Sequence, residues 1–179
     1  LAAPGVEIPE AAAAVHGSTT ERARAEGRPA AQVLEEVAGA LAAAMARGTP
    51  VVAFNASFDL TLMEAGLARH GLPGLRERLF TSVELAVCQK RAASLGARLA
   101  AKEAVLKALG SAYAELGLNA PPGWEYKEIG VTSTPGTPPR LRLTGATAMA
   151  ARQAGIGHWH LSLAHDGGMA QAFVVAQAD

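Results

Sequence analysis

The chain has 179 residues, which suits one domain or two small ones with a buried core. Sixteen basic residues balance sixteen acidic ones, so no overall field draws the protein onto nucleic acid or an anionic membrane. Apolar residues make up 50% of the chain but aromatic ones only 4%, which predicts a core of leucine, valine and alanine in a helix-rich α/β or α+β protein.

The N-terminal third is predicted to be helical. Residues 1–29 are predicted to form a loop and one short helix, with Ser18 or Thr19 as its N-cap. Apolar residues recur at helical spacing over 30–47, which predicts an amphipathic helix.

The next segment combines a predicted strand with a predicted helix. The apolar run 50–54 is typical of a buried strand, and 58–70 of a helix. Asp59 is therefore expected just after a strand, near the start of a helix.

Two further helices are predicted before the chain changes character. Ser82 is expected to cap a helix that runs towards Lys90, and Ser94 another that runs to Gly110. The core face of the second helix is expected to carry Leu95, Leu99, Val105, Leu106 and Leu109.

The C-terminal part alternates between hairpins and a helix. "WEYKEIGVTS" and "RLRLTG" predict one hairpin, 146–154 a helix, and "HWHLSLAHDGGMAQAFVVA" a second hairpin across an Asp-Gly turn. In the second hairpin, Trp159, Leu161 and Leu163 would share one face, opposite His158, His160 and Ser162.

The cysteine content and the hydropathy of the chain indicate the cellular compartment of the protein. The single cysteine, Cys88, cannot form an internal disulfide, and residues 1–15 lack the basic start and apolar core of a signal peptide. The most apolar helical stretch, 37–45, is far shorter than the ~20 residues that span a bilayer. We therefore expect a cytoplasmic protein without a membrane segment.

The stretch "ARLAAKEAVLKALG" carries charges at Lys102, Glu103 and Lys107. Glu103 and Lys107 are four positions apart, the spacing of an ordinary surface ion pair worth a few tenths of a kcal/mol. The same side chains also suit phosphate chemistry, because Mg²⁺ prefers carboxylate and phosphate oxygens and an ammonium group can neutralise a phosphoryl oxygen.

Five stretches between about 73 and 178 extend this second interpretation. They are "RLFTSVEL", "SLGARLAAKEAVLKALG", "EIGV", "PRLRLTGA" and "WHLSLAHDGGMAQAFVVA". In this order they resemble holo-[acyl-carrier-protein] synthase, the small 4′-phosphopantetheinyl transferase. The resemblance implies an α+β fold and Mg²⁺-dependent transfer of 4′-phosphopantetheine from coenzyme A to a serine of an acyl carrier protein, with release of adenosine 3′,5′-bisphosphate. It also implies a homotrimer.

The same resemblance implies roles for individual residues. Glu103 would bind Mg²⁺ together with the pyrophosphate of coenzyme A, and Lys107 would contact phosphate near the reaction centre. Arg98 matches a basic residue near the coenzyme, and Ser162 and His165 match residues that line its pocket.

Two other sites in the C-terminal hairpin are disfavoured. A hydrolase triad of Ser162, His165 and Asp166 would consist of sequence neighbours without a G-x-S-x-G turn. A zinc site of His158, His160 and His165 has no standard spacing and no accompanying cysteine.

Residues 1–72 resemble a different family, the proofreading-type DEDDh 3′-5′ exonucleases with a ribonuclease H-like fold. The resemblance lies in "PGVEIPEAAAAVHGSTTERARAEGRPAAQVLEEV" and "VVAFNASFDLTLMEAGLARHGL". Such an enzyme needs four carboxylates for two metals, of which only Asp59 is supplied. The D-x-E pair would precede Leu1, and the H-x4-D motif would follow Leu72. An inactive exonuclease fragment that binds nucleic acid or metal is therefore one alternative, and a non-catalytic interaction module is another.

The synthase family usually begins with a strand of the form G-[IV]-G-x-D-[LIV], whose aspartate is its other metal ligand. That motif is missing, but 50–54 and Asp59 have the same strand-aspartate-helix layout. We hypothesise that Asp59 binds the metal beside Glu103, and that 50–54 and 58–70 complete the transferase fold.

The sequence thus predicts an α+β protein with an exonuclease-like segment, 1–72, and a synthase-like domain, 73–179. Its expected cofactor is Mg²⁺, and coenzyme A is its expected co-substrate. The expected acidic carrier protein would dock on Arg69, Arg76 and Arg78. Zero net charge disfavours nucleic acid as a partner.

Overall fold

The computed structural model describes residues 2–3, 5–46, 49, 51–52, 56–89, 91–119, 124–134 and 136–178. In chain order its elements are β1 (Ala2–Ala3), α1 (Glu10–His16), α2 (Thr20–Glu26), β2 (Arg28–Pro29), α3 (Ala30–Ala46), α4 (Ala56–Arg69), α5 (Leu75–Leu79), α6 (Ser82–Cys88), α7 (Ala92–Glu115), a 3₁₀ helix (Tyr126–Glu128), β3 (Ile129–Thr132), β4 (Arg140–Leu143), α8 (Gly145–Gln153), β5 (Ile156–Asp166) and β6 (Met169–Ala178).

The chain divides into two compact units. The first comprises Leu1–Leu41 and Val51–Gly74, and the second Ala42–Pro50 and Leu75–Asp179. Within the described part of the chain, no helix has the length and apolar character of a membrane span.

The first unit contains two short helices where the sequence predicted one. Gly17 ends α1 in the left-handed conformation (φ +70°), which glycine adopts without a steric penalty. Thr19 then begins α2 by accepting a hydrogen bond from the amide of Arg22 at 3.2 Å. Of the two predicted candidates, Ser18 and Thr19, it is therefore Thr19 that caps this helix.

The predicted strand 50–54 is only partly described. Pro50 and residues 53–55 lie outside the described residues. Val51 and Val52 belong to no strand, and 50% and 92% of their surfaces are exposed. The prediction of a buried strand is therefore wrong for these two valines, because an apolar run becomes a buried strand only where a partner strand or helix covers it. The helix predicted over 58–70 is confirmed as α4.

The second unit is built around α7, the longest helix described. Its core face buries Leu95, Val105, Leu106 and Leu109, while Leu99 packs partly buried against the same core, as the periodicity predicted. At Gly96 the helix approaches β6 closely, since a Cβ at that position would lie 3.1 Å from the Cβ of Ala170. Helix α7 and the last hairpin therefore pack against each other as two adjacent layers.

Two predicted caps are wrong. Helix α6 is capped by Thr81, because Thr81 and Glu84 form a reciprocal capping box and Ser82 is already the first helical residue. Helix α7 begins at Ala92, so Ser94 lies inside it, and Arg91 precedes it without a side-chain cap.

Both predicted hairpins are confirmed. Strands β3 and β4 pair antiparallel, with Ile129 opposite Leu143, and β5 and β6 pair from Ile156 and Ala178 to the turn at Asp166 and Met169. The apolar face of β5 is partly buried, and the face with His158, His160 and Ser162 is exposed.

Candidate functional site

The second unit contains a cavity of about 530 Å³ among α6, α7, the end of β3, the segment before β4, and the end of β5. Its lining combines three basic side chains, three hydroxyl side chains and an apolar wall. The lining residues are Val87, Cys88, Arg91, Ser94, Ala97, Arg98, Ser133, Thr134, Pro139, Leu163, Ala164 and His165.

Arg98 is the most deeply buried cation of this cavity, with 6% of its surface exposed. Its guanidinium donates to the carbonyl oxygen of Ser94 at 3.1 Å and to Oγ of Ser133 at 2.8 Å. Its buried Nε has no hydrogen-bond partner among the described residues. A buried guanidinium without a carboxylate partner is costly unless an anion completes its hydrogen bonds, so the cavity suits an anionic ligand.

Other side chains reinforce the preference of the cavity for an anionic ligand. Arg91 lines the cavity and is held by a hydrogen bond from its Nε to the carbonyl oxygen of Cys88 at 3.2 Å. Burial raises the pKa of the Cys88 thiol, which therefore stays protonated and acts as an apolar wall. The lining of the cavity thus suits a ligand that carries a charged group beside an apolar one.

The structure brings two of the predicted coenzyme residues together. Arg98 and His165 line the same cavity although 67 positions separate them in sequence. Ser162 does not belong to this lining; it lies on the exposed face of β5, opposite Phe173 of β6. Among the described residues no group of three histidine, cysteine or acidic side chains could hold a metal, so the disfavoured three-histidine zinc site is not formed.

Glu103 and Lys107 lie on α7, half-buried and exposed respectively. Both residues are described, and the structure shows no ion pair between them, so the ordinary surface pair is not formed. Burial raises the pKa of the Tyr126 hydroxyl, and the Glu103 carboxylate adds to that shift. The hydroxyl itself donates to the carbonyl oxygen of Met45. The two predicted reaction-centre residues are therefore not engaged with each other.

Asp59 is exposed in the first turn of α4, in the first unit, whereas Glu103 belongs to the second. Their assignment as joint metal ligands stays a prediction.

Known proteins were compared with the whole chain. No family model matches it. A holo-[acyl-carrier-protein] synthase of Frankia casuarinae is 46% identical over 119 residues, which cover 66% of this chain and 90% of the relative. The chain belongs to the holo-[acyl-carrier-protein] synthase family. It is accordingly a phosphopantetheinyl transferase.

Two further comparisons agree with this membership. The holo-[acyl-carrier-protein] synthase of Kocuria rhizophila is 42% identical over 120 residues, 67% of this chain and 86% of that protein. The solved structure of an apo-ACPS from Chronobacterium ammoiniagenes is 29% identical, has a TM-score of 0.52, and covers 67% of this chain and 90% of that one. The α+β synthase fold predicted from the sequence is thereby confirmed.

The extent of the match bears on where the synthase-like sequence begins. The 119 aligned residues exceed the segment from Leu75 to Asp179. The similarity to the holo-[acyl-carrier-protein] synthase family therefore includes residues that precede Leu75.

The burial of Lys102, the most buried charged side chain among the described residues, was not predicted. Its side chain is 0% exposed, and Nζ donates to Oε2 of Glu84 at 2.9 Å and to the carbonyl oxygens of Tyr126 and Ile129 at 2.7 and 2.6 Å. Burial lowers the pKa of Lys102, and the Glu84 carboxylate opposes that shift. The available signal was its position on the core face of α7, one turn before Val105 and Leu106.

Proposed function

We propose that the chain transfers 4′-phosphopantetheine from coenzyme A to a serine of an acyl carrier protein and releases adenosine 3′,5′-bisphosphate. The observation that carries this proposal is the cavity around Arg98, in a chain that is 46% identical to a holo-[acyl-carrier-protein] synthase. Coenzyme A supplies the kind of ligand that this cavity fits, because it joins phosphate groups to an apolar adenine ring.

The cavity residues have separate tasks in this proposal. The unpartnered Nε of Arg98 donates to a phosphate oxygen, and His165 and the hydroxyls of Ser133 and Thr134 supply further hydrogen bonds. Val87 and Leu163 cover the apolar part of the ligand. Ser162 is proposed to contact the coenzyme at the rim, from the exposed face of β5.

Mg²⁺ is the cofactor that the carboxylates of Glu103 and Asp59 suit. Mg²⁺ takes one or two protein carboxylates and completes its shell with substrate phosphates and water, so Glu103 and Asp59 suffice as protein ligands. When bound, the ion neutralises charge on the pyrophosphate. Lys107, exposed one turn beyond Glu103, is free to contact a phosphoryl oxygen as the leaving group separates. A carboxylate or a bound water accepts the serine proton.

The remaining parts of the proposal concern assembly and location. We propose a cytoplasmic homotrimer in which α4 completes the transferase fold. Residues 1–72 are proposed to be an exonuclease-like segment.

Transfer is tested by incubating the protein with coenzyme A, Mg²⁺ and an apo carrier protein, and weighing the carrier by mass spectrometry. We expect the carrier to gain the mass of one phosphopantetheine arm. Lys107→Ala should slow the gain about a hundredfold, the typical loss for a group that stabilises developing charge. Lys127→Ala, which also removes an exposed lysine, should leave the rate unchanged.

A carrier whose mass does not change with the unsubstituted protein would contradict the proposal. Single-stranded DNA incubated with the same preparation serves as the control for the exonuclease alternative. Its Mg²⁺-dependent degradation would favour that alternative.

A further inference from the structure

Strand β3 is tied to one face of α7 by two cationic side chains that lie one helical turn apart. Nζ of Lys102 donates to the carbonyl oxygen of Ile129, where β3 begins, at 2.6 Å. The guanidinium of Arg98 donates to Oγ of Ser133, the residue that follows β3, at 2.8 Å. Helical residues four positions apart are neighbours on the helix surface. The two contacts therefore hold both ends of β3 against α7.

The contact at Lys102 makes the position of β3 rigid. Nζ of Lys102 also donates to Oε2 of Glu84 at 2.9 Å, and Oε1 of the same carboxylate accepts from the amide of Val131 at 3.0 Å. Lys102 and Glu84 are 0% and 1% exposed, so water does not compete for these bonds. Ser133, two residues beyond Val131, is consequently held at a fixed place beside Arg98.

The guanidinium of Arg98 is bound at both of its terminal nitrogens. Nη1 donates to the carbonyl oxygen of Ser94 at 3.1 Å, and Nη2 donates to Oγ of Ser133 at 2.8 Å. Because the guanidinium is planar, two bound nitrogens fix its orientation and the direction of its remaining N–H donors. Of the two acceptors, only the Ser133 oxygen belongs to a side chain, so a substitution can remove it.

The two cations of this helix face differ in their charge balance. The charge of Lys102 is paired with the Glu84 carboxylate. Arg98 forms no ion pair with any described residue, and its side-chain partner is an uncharged hydroxyl. A carboxylate beside Arg98 would compete with an anionic ligand for the guanidinium. A hydroxyl orients the guanidinium and leaves its positive charge available.

We infer that Ser133 is a positioning residue for Arg98, whose guanidinium its hydroxyl holds in the orientation that receives an anion. Both residues line the cavity described above, in which Arg98 is 6% exposed. An arginine side chain loses rotamer freedom when it binds a ligand, and a hydrogen bond already present in the free protein removes part of that cost. The inference rests on the proposed function, because it assumes that Arg98 binds coenzyme A.

The test is a calorimetric titration with coenzyme A, without Mg²⁺ or carrier protein, so that neither metal binding nor turnover contributes. Ser133→Ala should weaken binding about tenfold, the smaller end of what a hydrogen bond to a charged group contributes. Ser133→Thr, which keeps the hydroxyl, should bind more tightly than Ser133→Ala. Thr132→Val removes the neighbouring exposed hydroxyl, which does not line the cavity, and should leave the affinity unchanged. Equal affinities for Ser133→Ala and Thr132→Val would overturn the inference.

A double-mutant cycle with Arg98→Met determines whether Ser133 acts through Arg98 or by its own contact with the ligand. A contact of its own would give Ser133→Ala the same loss of affinity in the Arg98→Met protein as in the unsubstituted one. A positioning role predicts that most of this loss disappears once Arg98 is replaced. An undiminished loss would leave Ser133 with a direct contact only, and the inference would fail.

Arg98→Met also separates this inference from the function beneath it. If Arg98→Met binds coenzyme A as tightly as the unsubstituted protein, the ligand role of Arg98 fails and the inference fails with it. If Arg98→Met loses affinity and Ser133→Ala does not, only the inference fails.

A second measurement needs no replacement of the arginine and covers the case in which Arg98→Met does not fold. A guanidinium held by hydrogen bonds rotates slowly about its Cζ–Nη bonds, so its Nη protons give separate resonances in spectra of ¹⁵N-arginine-labelled protein. Ser133→Ala should merge one such set of resonances, and Thr132→Val should not. Identical guanidinium spectra for Ser133→Ala and the unsubstituted protein would contradict the positioning role.

Discussion

The ion pair between Lys102 and Glu84 joins four segments of the second unit. Glu84 accepts from Nζ of Lys102 at 2.9 Å, from the amide of Val131 at 3.0 Å and from the amide and hydroxyl of Thr81 at 2.8 and 2.9 Å. Every polar group of the pair is therefore satisfied in a region without solvent. Removing one partner would leave the other charge buried and uncompensated.

Lys102→Met tests this role with an unbranched, uncharged side chain that is one atom shorter than lysine. We expect it to lower the free energy of unfolding by about 3–5 kcal/mol, the usual cost of breaking a buried pair. Urea denaturation gives the measurement. Lys127→Met, at an exposed lysine, should change the stability by less than about 0.5 kcal/mol. A similar loss in the two variants would show that the buried pair has no special importance.

The family resemblance linked single residues that lie far apart in sequence, and their roles in binding the coenzyme stay a prediction. Arg98 and His165 were assigned to one coenzyme site by the resemblance, and both line the same cavity. The burial of Lys102 was missed because its partners lie 18 to 27 positions away, on a different helix and at the start of a strand. Local charge spacing carries no information about such contacts.

Helix α8 illustrates how an element can depend on a distant cap. Thr144, at its N-cap, makes no side-chain capping bond. The carboxylate of Glu128 instead accepts from the amides of Ala146 and Thr147 at 2.9 and 2.8 Å and from the Thr147 hydroxyl at 2.8 Å. An anion at a helix N-terminus also interacts favourably with the helix dipole.

This cap predicts a dependence of stability on pH. Burial raises the pKa of Glu128, but the hydrogen bonds from Thr147 and Ala146 outweigh it and hold the pKa below its ordinary value of 4.5. The ionised cap therefore stabilises the fold above about pH 4.5, and that contribution is lost as the pH falls through the lower, folded-state pKa. Glu128→Gln should cost about 1 kcal/mol at pH 7 and progressively less in acid.

Thermal unfolding at pH 7 and in steps down to about pH 3 measures the difference. Glu125→Gln, at an exposed neighbouring carboxylate, serves as the control. A Glu128→Gln penalty that stays constant down to the lowest pH would contradict the capping role.

Elements were predictable to the extent that their signals are local. The periodicity of α7 and the alternation of both hairpins each lie within one stretch of sequence, and each was confirmed. The turn of the last hairpin consists of Gly167 and Gly168, both with positive φ, and so lies one position later than the predicted Asp-Gly turn. The cap of α6 had a local signal, since Thr81 stands three residues before Glu84 as in a capping box, but Ser82 was preferred. The cap of α8 lies 16 residues before Thr144 and had no such signal.

Charge gives a prediction for the whole molecule. Because this chain has zero net charge, an acidic carrier protein must be attracted by a local basic surface. Arg69, Arg76 and Arg78 were proposed to form that surface. Arg76→Glu, at an exposed position of α5, should raise the KM for the carrier about tenfold, leave the KM for coenzyme A unchanged, and matter less at high salt.

Arg152→Glu is the control, because it changes the net charge by the same amount as Arg76→Glu at an exposed position in the last turn of α8. Steady-state kinetics with both substrates varied distinguishes the two variants. Equal carrier KM values for them would exclude Arg76 from the docking surface.

At the scale of the whole molecule the sequence predicted membership of a family but not the packing of its parts. The synthase resemblance rested on five motifs and is confirmed by relatives of 42% and 46% identity. The exonuclease resemblance of residues 1–72 stays a prediction. Whether a short apolar run such as 50–54 becomes a strand depends on partners that a single sequence does not name.

Gly96 bears on the ligand as well as on packing. Ser94, Ala97 and Arg98 form one wall of the cavity, and Leu163, Ala164 and His165 form another. Gly96 lies in the first of these helical segments, where an added Cβ would come within 3.1 Å of the Cβ of Ala170 in β6. A methyl group at position 96 would require α7 or β6 to shift by a few tenths of an ångström. The absent side chain at position 96 thus lets α7 and the last hairpin approach each other this closely beside the cavity.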